Sequence, residues 1–131
     1  MDKFIWPIRV YYEDSDAGGV VYHSNYLNFM ERARTEWLRN KGFNQTALKQ
    51  EYNLIFVLRK ISVDYLKPAF FDDLLTITVQ IIKIGKASII MAQQVQREAE
   101  IICTADVKLA SINAVTLRPQ AFPSDILNLL N

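Results

Sequence analysis

The sequence predicts an α+β fold in which one amphipathic helix packs against a mostly antiparallel sheet. Two periodicities carry this expectation. Apolar residues recur at helical spacing over one early stretch, then at a period of two over four later stretches. A third observation fixes the pairing: the last three strand segments are joined by short polar or Gly-containing connections, which suit antiparallel neighbours. At 131 residues the chain suits a single domain over residues 1–131, with no repeat and no linker.

Ile8 to Glu13 alternates, with Ile8, Val10 and Tyr12 on one side and Arg9, Tyr11 and Glu13 on the other, which predicts a half-buried strand. A loop follows from Asp14 to His23, and its paired Gly18 and Gly19 allow backbone angles that a Cβ forbids. Ser24 or Asn25 can cap a helix. Tyr26, Met30, Ala33 and Trp37 then form an apolar stripe flanked by Leu27, Phe29 and Leu38, and Gly42 supplies the stop. The helix should run for about 17 residues, or ~26 Å. A weaker helical turn covers Thr46 to Glu51. Strands are expected at 55–65, 74–84, 87–97 and 101–113, with a bulge or strand end at Lys83, which falls on the apolar parity. After Pro119 and Pro123, Ile126 to Leu130 reads as a last helical turn. The helix stripe should cover the concave face of the sheet. Open sheet edges favour pairing between two copies.

Composition narrows the function. Half the residues are hydrophobic and 15 are aromatic, which excludes a disordered chain; four Gly and four Pro exclude a collagen-like one. Fifteen basic residues against fourteen acidic give a net charge of +1, so no global field draws nucleic acid or an anionic membrane. Arg59, Lys60, Lys83, Lys86, Arg97 and Arg118 are scattered, although a local basic groove for a nucleotide phosphate stays open. The single Cys103 alternates with core residues and reads as inert packing in a reducing compartment. No segment has the length of a signal peptide core or a membrane span, which points to the cytoplasm.

The densest set of reactive residue types is Glu13, Asp14 and Asp16, then Gly18-Gly19, then His23 at the helix start. The first amides of a helix have no partner within it and favour negative charge. A carboxylate beside such amides is the minimum needed for acyl transfer. Asp14 and Asp16 read equally as turn residues, and the lone His23 as a cap or a partner for a carbonyl. The spacing does not fit an EF-hand, whose twelfth position would be Asn25. One His and one distant Cys do not make a zinc site. No Gly-x-Ser-x-Gly elbow is present, and Gln80 stands where a phosphate loop ending at Gly85-Lys86 needs Gly.

The run Arg9-Val10-Tyr11-Tyr12-Glu13-Asp14-Ser15-Asp16-Ala17-Gly18-Gly19-Val20-Val21-Tyr22-His23, with Asn25-Tyr26 and Glu31-Arg32-Ala33-Arg34-Thr35-Glu36 after it, resembles the YbgC-type acyl-CoA thioesterases of the 4-hydroxybenzoyl-CoA thioesterase group. The turn Tyr65-Leu66-Lys67-Pro68-Ala69-Phe70-Phe71-Asp72-Asp73-Leu74 shares the likeness, which spans about residues 6 to 125. The later strands match by pattern more than by identity. The resemblance implies a hotdog fold, one long helix wrapped by a curved five-stranded antiparallel sheet. It implies homodimers or homotetramers with active sites between subunits. It places the catalytic carboxylate at Asp16, as nucleophile or general base, and the amide that polarises the thioester carbonyl at His23. The His23 side chain matches a histidine typical of the YbgC subgroup. The CoA thioester is the substrate, and no metal or prosthetic group is implied; acyl carrier protein is an alternative carrier. The resemblance also implies a link to the Tol-Pal envelope system, with the protein in the cytoplasm or at the inner face of the membrane.

Two rival functions stay open at this point. A hotdog hydratase uses an Asp/His pair at shorter spacing than Asp16 and His23, and enoyl-CoA hydration would reveal it. A non-catalytic acyl-CoA or acyl-carrier-protein binding module would show tight binding without turnover. Tyr26, Met30, Trp37 and the segment Ile55-Phe56-Val57 line an acyl pocket or belong to the ordinary core.

Overall fold

The computed structural model describes residues 3–131. Five strands form one antiparallel sheet in the order β1-β3-β4-β5-β2, with β1 Phe4–Arg9, β2 Leu54–Tyr65, β3 Leu74–Ile84, β4 Ser88–Arg97 and β5 Glu100–Asn113. Helix α1, Asn25–Asn40, lies across this sheet, α2 is Gln45–Tyr52, and α3 is Ser124–Leu130. This is the expected α+β hotdog arrangement.

The core follows the predicted parities. Leu75, Ile77 and Val79 of β3, Ile89, Met91 and Val95 of β4, and Cys103, Val107 and Leu109 of β5 are buried on the face that meets α1. Tyr26, Phe29, Met30, Ala33, Trp37 and Leu38 supply the helix side. Burying one such large apolar side chain contributes about 1.5–3 kcal/mol. That contribution fixes the register, because a slip by one residue would turn every strand side chain outward. The bulge expected at Lys83 is present: the β3–β4 register shifts between Ile81 and Lys83, and Ile82 turns outward.

Three local expectations need correction. The strand expected at Ile8–Glu13 lies earlier, at Phe4–Arg9, pairing Phe4 with Val79 and Arg9 with Leu74. Pro7 is tolerated there because β1 is an edge strand. The ladder stops because the Asp14 carboxylate accepts the Tyr11 N–H at 2.8 Å and closes a 3-10 turn over Tyr12–Asp14. Tyr12, expected to share the face of Ile8 and Val10, is consequently 80% exposed. The second correction concerns α1. Ser24 occupies the cap position with helical angles, φ −72° and ψ −19°, and its side chain makes no capping bond. Asn25 is already inside the helix, and its side chain turns to Asp14. Helix α2 is the third: it is a two-turn element, capped by Asn44, which accepts from the Ala47 N–H at 2.8 Å.

Candidate active site

The segment between β1 and α1 is a small hairpin. Tyr22 N–H donates to the Asp14 carbonyl at 3.0 Å, Ser15 bridges Val21, and Asp16 N–H donates to the Val20 carbonyl at 2.8 Å. Gly19, at φ +81°, makes the tip; a residue with a Cβ is strained there. The second motif is its support. Val20 bridges Phe70, Val21 N–H donates to Ala69 O at 2.9 Å, and Ala69 N–H donates to the buried Tyr26 hydroxyl at 3.0 Å. Val10 and the segment Asp72-Asp73 exchange backbone bonds of 2.9 Å. The two stretches that carry the family likeness are thus one unit in space.

The three carboxylates separate by environment. Asp14 is buried, and its oxygens accept from Tyr11 N–H at 2.8 Å and from Asn25 Nδ2 at 3.1 Å. It ties the hairpin to the first turn of α1. Glu13 is exposed. Asp16 is also exposed, and its Oδ1 accepts from Gly18 N–H at 2.8 Å. A Cβ on Gly18 would sit 3.2 Å from that oxygen, so the glycine leaves the carboxylate room. One oxygen of Asp16 is held by the turn, and the other has no partner among the described residues.

His23 sits at the tip of α1. Among the described residues, the amides of His23 and Ser24 donate to no protein acceptor. Two strong donors therefore stand at the positive end of a 16-residue helix that no side chain caps. The His23 carbonyl is anchored by the Tyr65 hydroxyl at 3.1 Å, and its ring lies 4.4 Å from that of Tyr22. Tyr65, Tyr26, Val21 and Lys67 line a hollow beside His23. Burial pushes the phenol pKa values of Tyr26 and Tyr65 upward, so both stay protonated, Tyr65 donating to His23 O and Tyr26 accepting from Ala69 N–H. Asp16 and His23 share one short segment, but no hydrogen bond, ion pair or ring contact joins them within the chain.

Sequence reasoning missed the roles of Tyr65 and Asn25, and it missed Arg34. Arg34 of α1 donates from Nη1 to Gln93 Oε1 at 2.9 Å. Gln93, fully buried on the core face of β4, donates from Nε2 to the Met30 carbonyl at 3.1 Å. The one available signal was Gln93 itself, a polar residue on an apolar parity. Tyr26, Met30 and Trp37 prove to be core residues, of which Tyr26 also borders the hollow beside His23, and Trp37 and Phe56 border a cleft beside α1. Cys103 is buried and its thiol pKa is pushed up to about 11 by desolvation, as expected of inert packing. No group of His, Cys, Asp or Glu among the described residues is arranged to hold a metal ion.

Residues 10–130 match the family model of the thioesterase-like superfamily. The chain belongs to that superfamily. Several of its relatives carry the name YbgC. It is 43% identical over 123 residues to the acyl-CoA thioesterase YbgC of Haemophilus influenzae, covering 94% of this chain and 90% of that one. It is 35% identical over 132 residues to the acyl-CoA thioesterase YbgC of Helicobacter pylori, covering 94% and 96%. A Bartonella henselae crystal structure described as a probable thioesterase superposes with a TM-score of 0.89 at 38% identity, covering 93% of this chain and all of that one. The family match thus spans the second motif, all but the first residue of the first motif, and strands β2 to β5. No helix among the described residues is long and apolar enough to cross a membrane.

Proposed function

We propose that the protein hydrolyses acyl-CoA thioesters, with Asp16 acting on a carbonyl polarised by the His23 amide. The observation that carries this reading is the uncapped start of α1 beside the Asp16 turn, in a chain 43% identical to an acyl-CoA thioesterase. The thioester oxygen takes the place of the missing acceptor at His23 N–H. Negative charge develops on that oxygen in the tetrahedral state, and a donor aimed at it lowers the barrier by about 3–4 kcal/mol. Asp16 acts in one of two balanced ways. Its free oxygen attacks the carbonyl carbon, the C–S bond breaks, CoA leaves as thiolate, and water hydrolyses the mixed anhydride. Alternatively it takes a proton from water, whose oxygen attacks, and the proton passes to the leaving sulfur. The single-bonded Asp16 carboxylate suits either role, since one oxygen is positioned and the other is free.

The working form is a dimer or a tetramer. Among the described residues, strand β2 is a twelve-residue edge without a neighbour beyond it, a template that a second copy completes. Such pairing would shelter Asp16 and His23, both exposed in the single chain. The direct test is release of CoA from a panel of acyl-CoA thioesters by the wild type and Asp16→Asn. Turnover should fall by at least about a hundredfold in the variant. An unchanged rate would overturn the assignment of Asp16, and enoyl-CoA hydration in its place would favour a hydratase.

A further inference from the structure

A cleft of about 390 Å³ runs along α1, bounded by Leu27, Glu31, Arg34 and Thr35 on the helix and by Phe56 and Leu58 on β2. Its lining begins at Leu27, four residues after His23, a spacing that puts the two on one helix face. Arg34 stands about midway along its helical wall, with Trp37 and Leu38 beyond it. Arg34 is half-buried there, and only one of its five N–H donors has a partner among the described residues, the Gln93 amide oxygen. Gln93 is itself locked by the Met30 carbonyl, so the guanidinium is held in place from below. Burial lowers the guanidinium pKa, and the nearby Glu31 charge offsets part of that effect. Glu31, one turn away, is exposed and forms no ion pair with it.

We propose that this cleft takes the acyl chain and that Arg34 recognises a carboxylate at the end of that chain, so that the preferred acyl groups are monothioesters of medium-length dicarboxylic acids. The inference rests on the thioesterase reading above and adds the substrate class. A planar guanidinium with unused N–H groups matches a carboxylate in a two-point contact, which an ammonium or an amide cannot reproduce. Length follows from the helix. Eleven residues separate His23 from Arg34, about 16 Å of rise, and the arginine side chain reaches back toward the helix start by roughly 5 Å. The remaining ~11 Å is spanned by a chain of about eight to nine carbons at roughly 1.25 Å per bond.

The test uses thioethers of CoA, which cannot be hydrolysed, so binding is read apart from catalysis. The probes are S-octyl-CoA, S-(8-hydroxyoctyl)-CoA and S-(7-carboxyheptyl)-CoA, measured by calorimetry on the wild type, Arg34→Met and Glu31→Gln. The carboxylate probe should bind the wild type at least tenfold tighter than the octyl probe. Arg34→Met should bring that ratio close to one while leaving octyl binding within twofold. Glu31→Gln, an exposed change that keeps Arg34, should raise the ratio. Three results would overturn the inference: octyl and carboxylate probes binding alike in the wild type, the hydroxyl probe binding as well as the carboxylate, or Arg34→Met weakening every probe equally. In each of these cases the thioesterase reading stands if acyl-CoA is still turned over in an Asp16-dependent way. Failure of all three probes to bind would also overturn the inference, whereas the thioesterase reading falls only if acyl-CoA is not turned over.

Discussion

Asp14 and Asp16 stand two residues apart and should fail in opposite ways when replaced. Asp14→Ala removes a buried acceptor of two hydrogen bonds, from Tyr11 N–H at 2.8 Å and Asn25 Nδ2 at 3.1 Å. Bonds to a charged group are worth about 1.5–3 kcal/mol each, and the part-buried Tyr11 N–H and Asn25 Nδ2 then lose their acceptor. Relief from desolvating the carboxylate offsets part of this, leaving a net loss of about 3 kcal/mol. For a domain of this size that lowers Tm by about 10 °C. Asp14→Asn keeps an acceptor for Tyr11 and should lose roughly half as much. Asp16→Asn, by contrast, changes an exposed side chain whose amide oxygen still accepts from Gly18 N–H, so its stability should stay within about 0.5 kcal/mol of wild type. Thermal and urea melts followed by circular dichroism, with acyl-CoA turnover measured in parallel, separate the two. A wild-type melting curve for Asp14→Ala would refute the structural role argued for it. An Asp16→Asn protein as unstable as Asp14→Ala would refute the division of labour.

Other expectations follow from the same geometry. Tyr26→Phe leaves the buried Ala69 N–H without its acceptor and should cost about 1–3 kcal/mol in a urea melt; a change under 0.3 kcal/mol would mean that the bond at 3.0 Å contributes nothing. Gly19→Ala forces a Cβ to φ +81° and should cost about 1–2 kcal/mol, measured the same way, with turnover reduced further because the Asp16 turn is displaced. The thiol of Cys103 should resist a disulfide reagent at pH 8 in the native protein, because burial raises its pKa to about 11 and leaves roughly one part in a thousand as thiolate. The sign for stability is fixed by the same shift. The thiol is favoured in the folded state, so its contribution is complete below the unfolded value and fades as pH rises from about 9 to about 11. Rapid labelling of the folded protein would contradict this.

Much of the fold was legible because the core strands are regular. Leu75-Ile77-Val79 and Cys103-Ala105-Val107-Leu109 alternate without interruption, and alternation is what a one-sided sheet requires. β1 was misplaced because Ile8, Val10 and Tyr12 alternate as well. What ends the strand is a side chain, Asp14, reaching back to Tyr11, and periodicity does not record that contact. The helix start was misread for a related reason: Ser24 and Asn25 are good capping residues, but Asn25 is recruited by Asp14 and Ser24 is already helical. An empty cap leaves free the amides on which the proposed chemistry depends. Asp16 and His23 were legible through a motif; the Arg34–Gln93 pair was not, because its members lie 59 residues apart and meet only through the sheet.

The central claim is that the His23 end of α1 polarises a thioester carbonyl presented to Asp16. Its most direct test is the vibrational difference spectrum of an acyl-CoA labelled with carbon-13 at the carbonyl, bound to the slow Asp16→Asn protein. The account predicts a carbonyl stretch shifted to lower frequency than in water, the signature of a strong donor at the oxygen. A bound, intact thioester whose carbonyl stretch matches that in solution would contradict it.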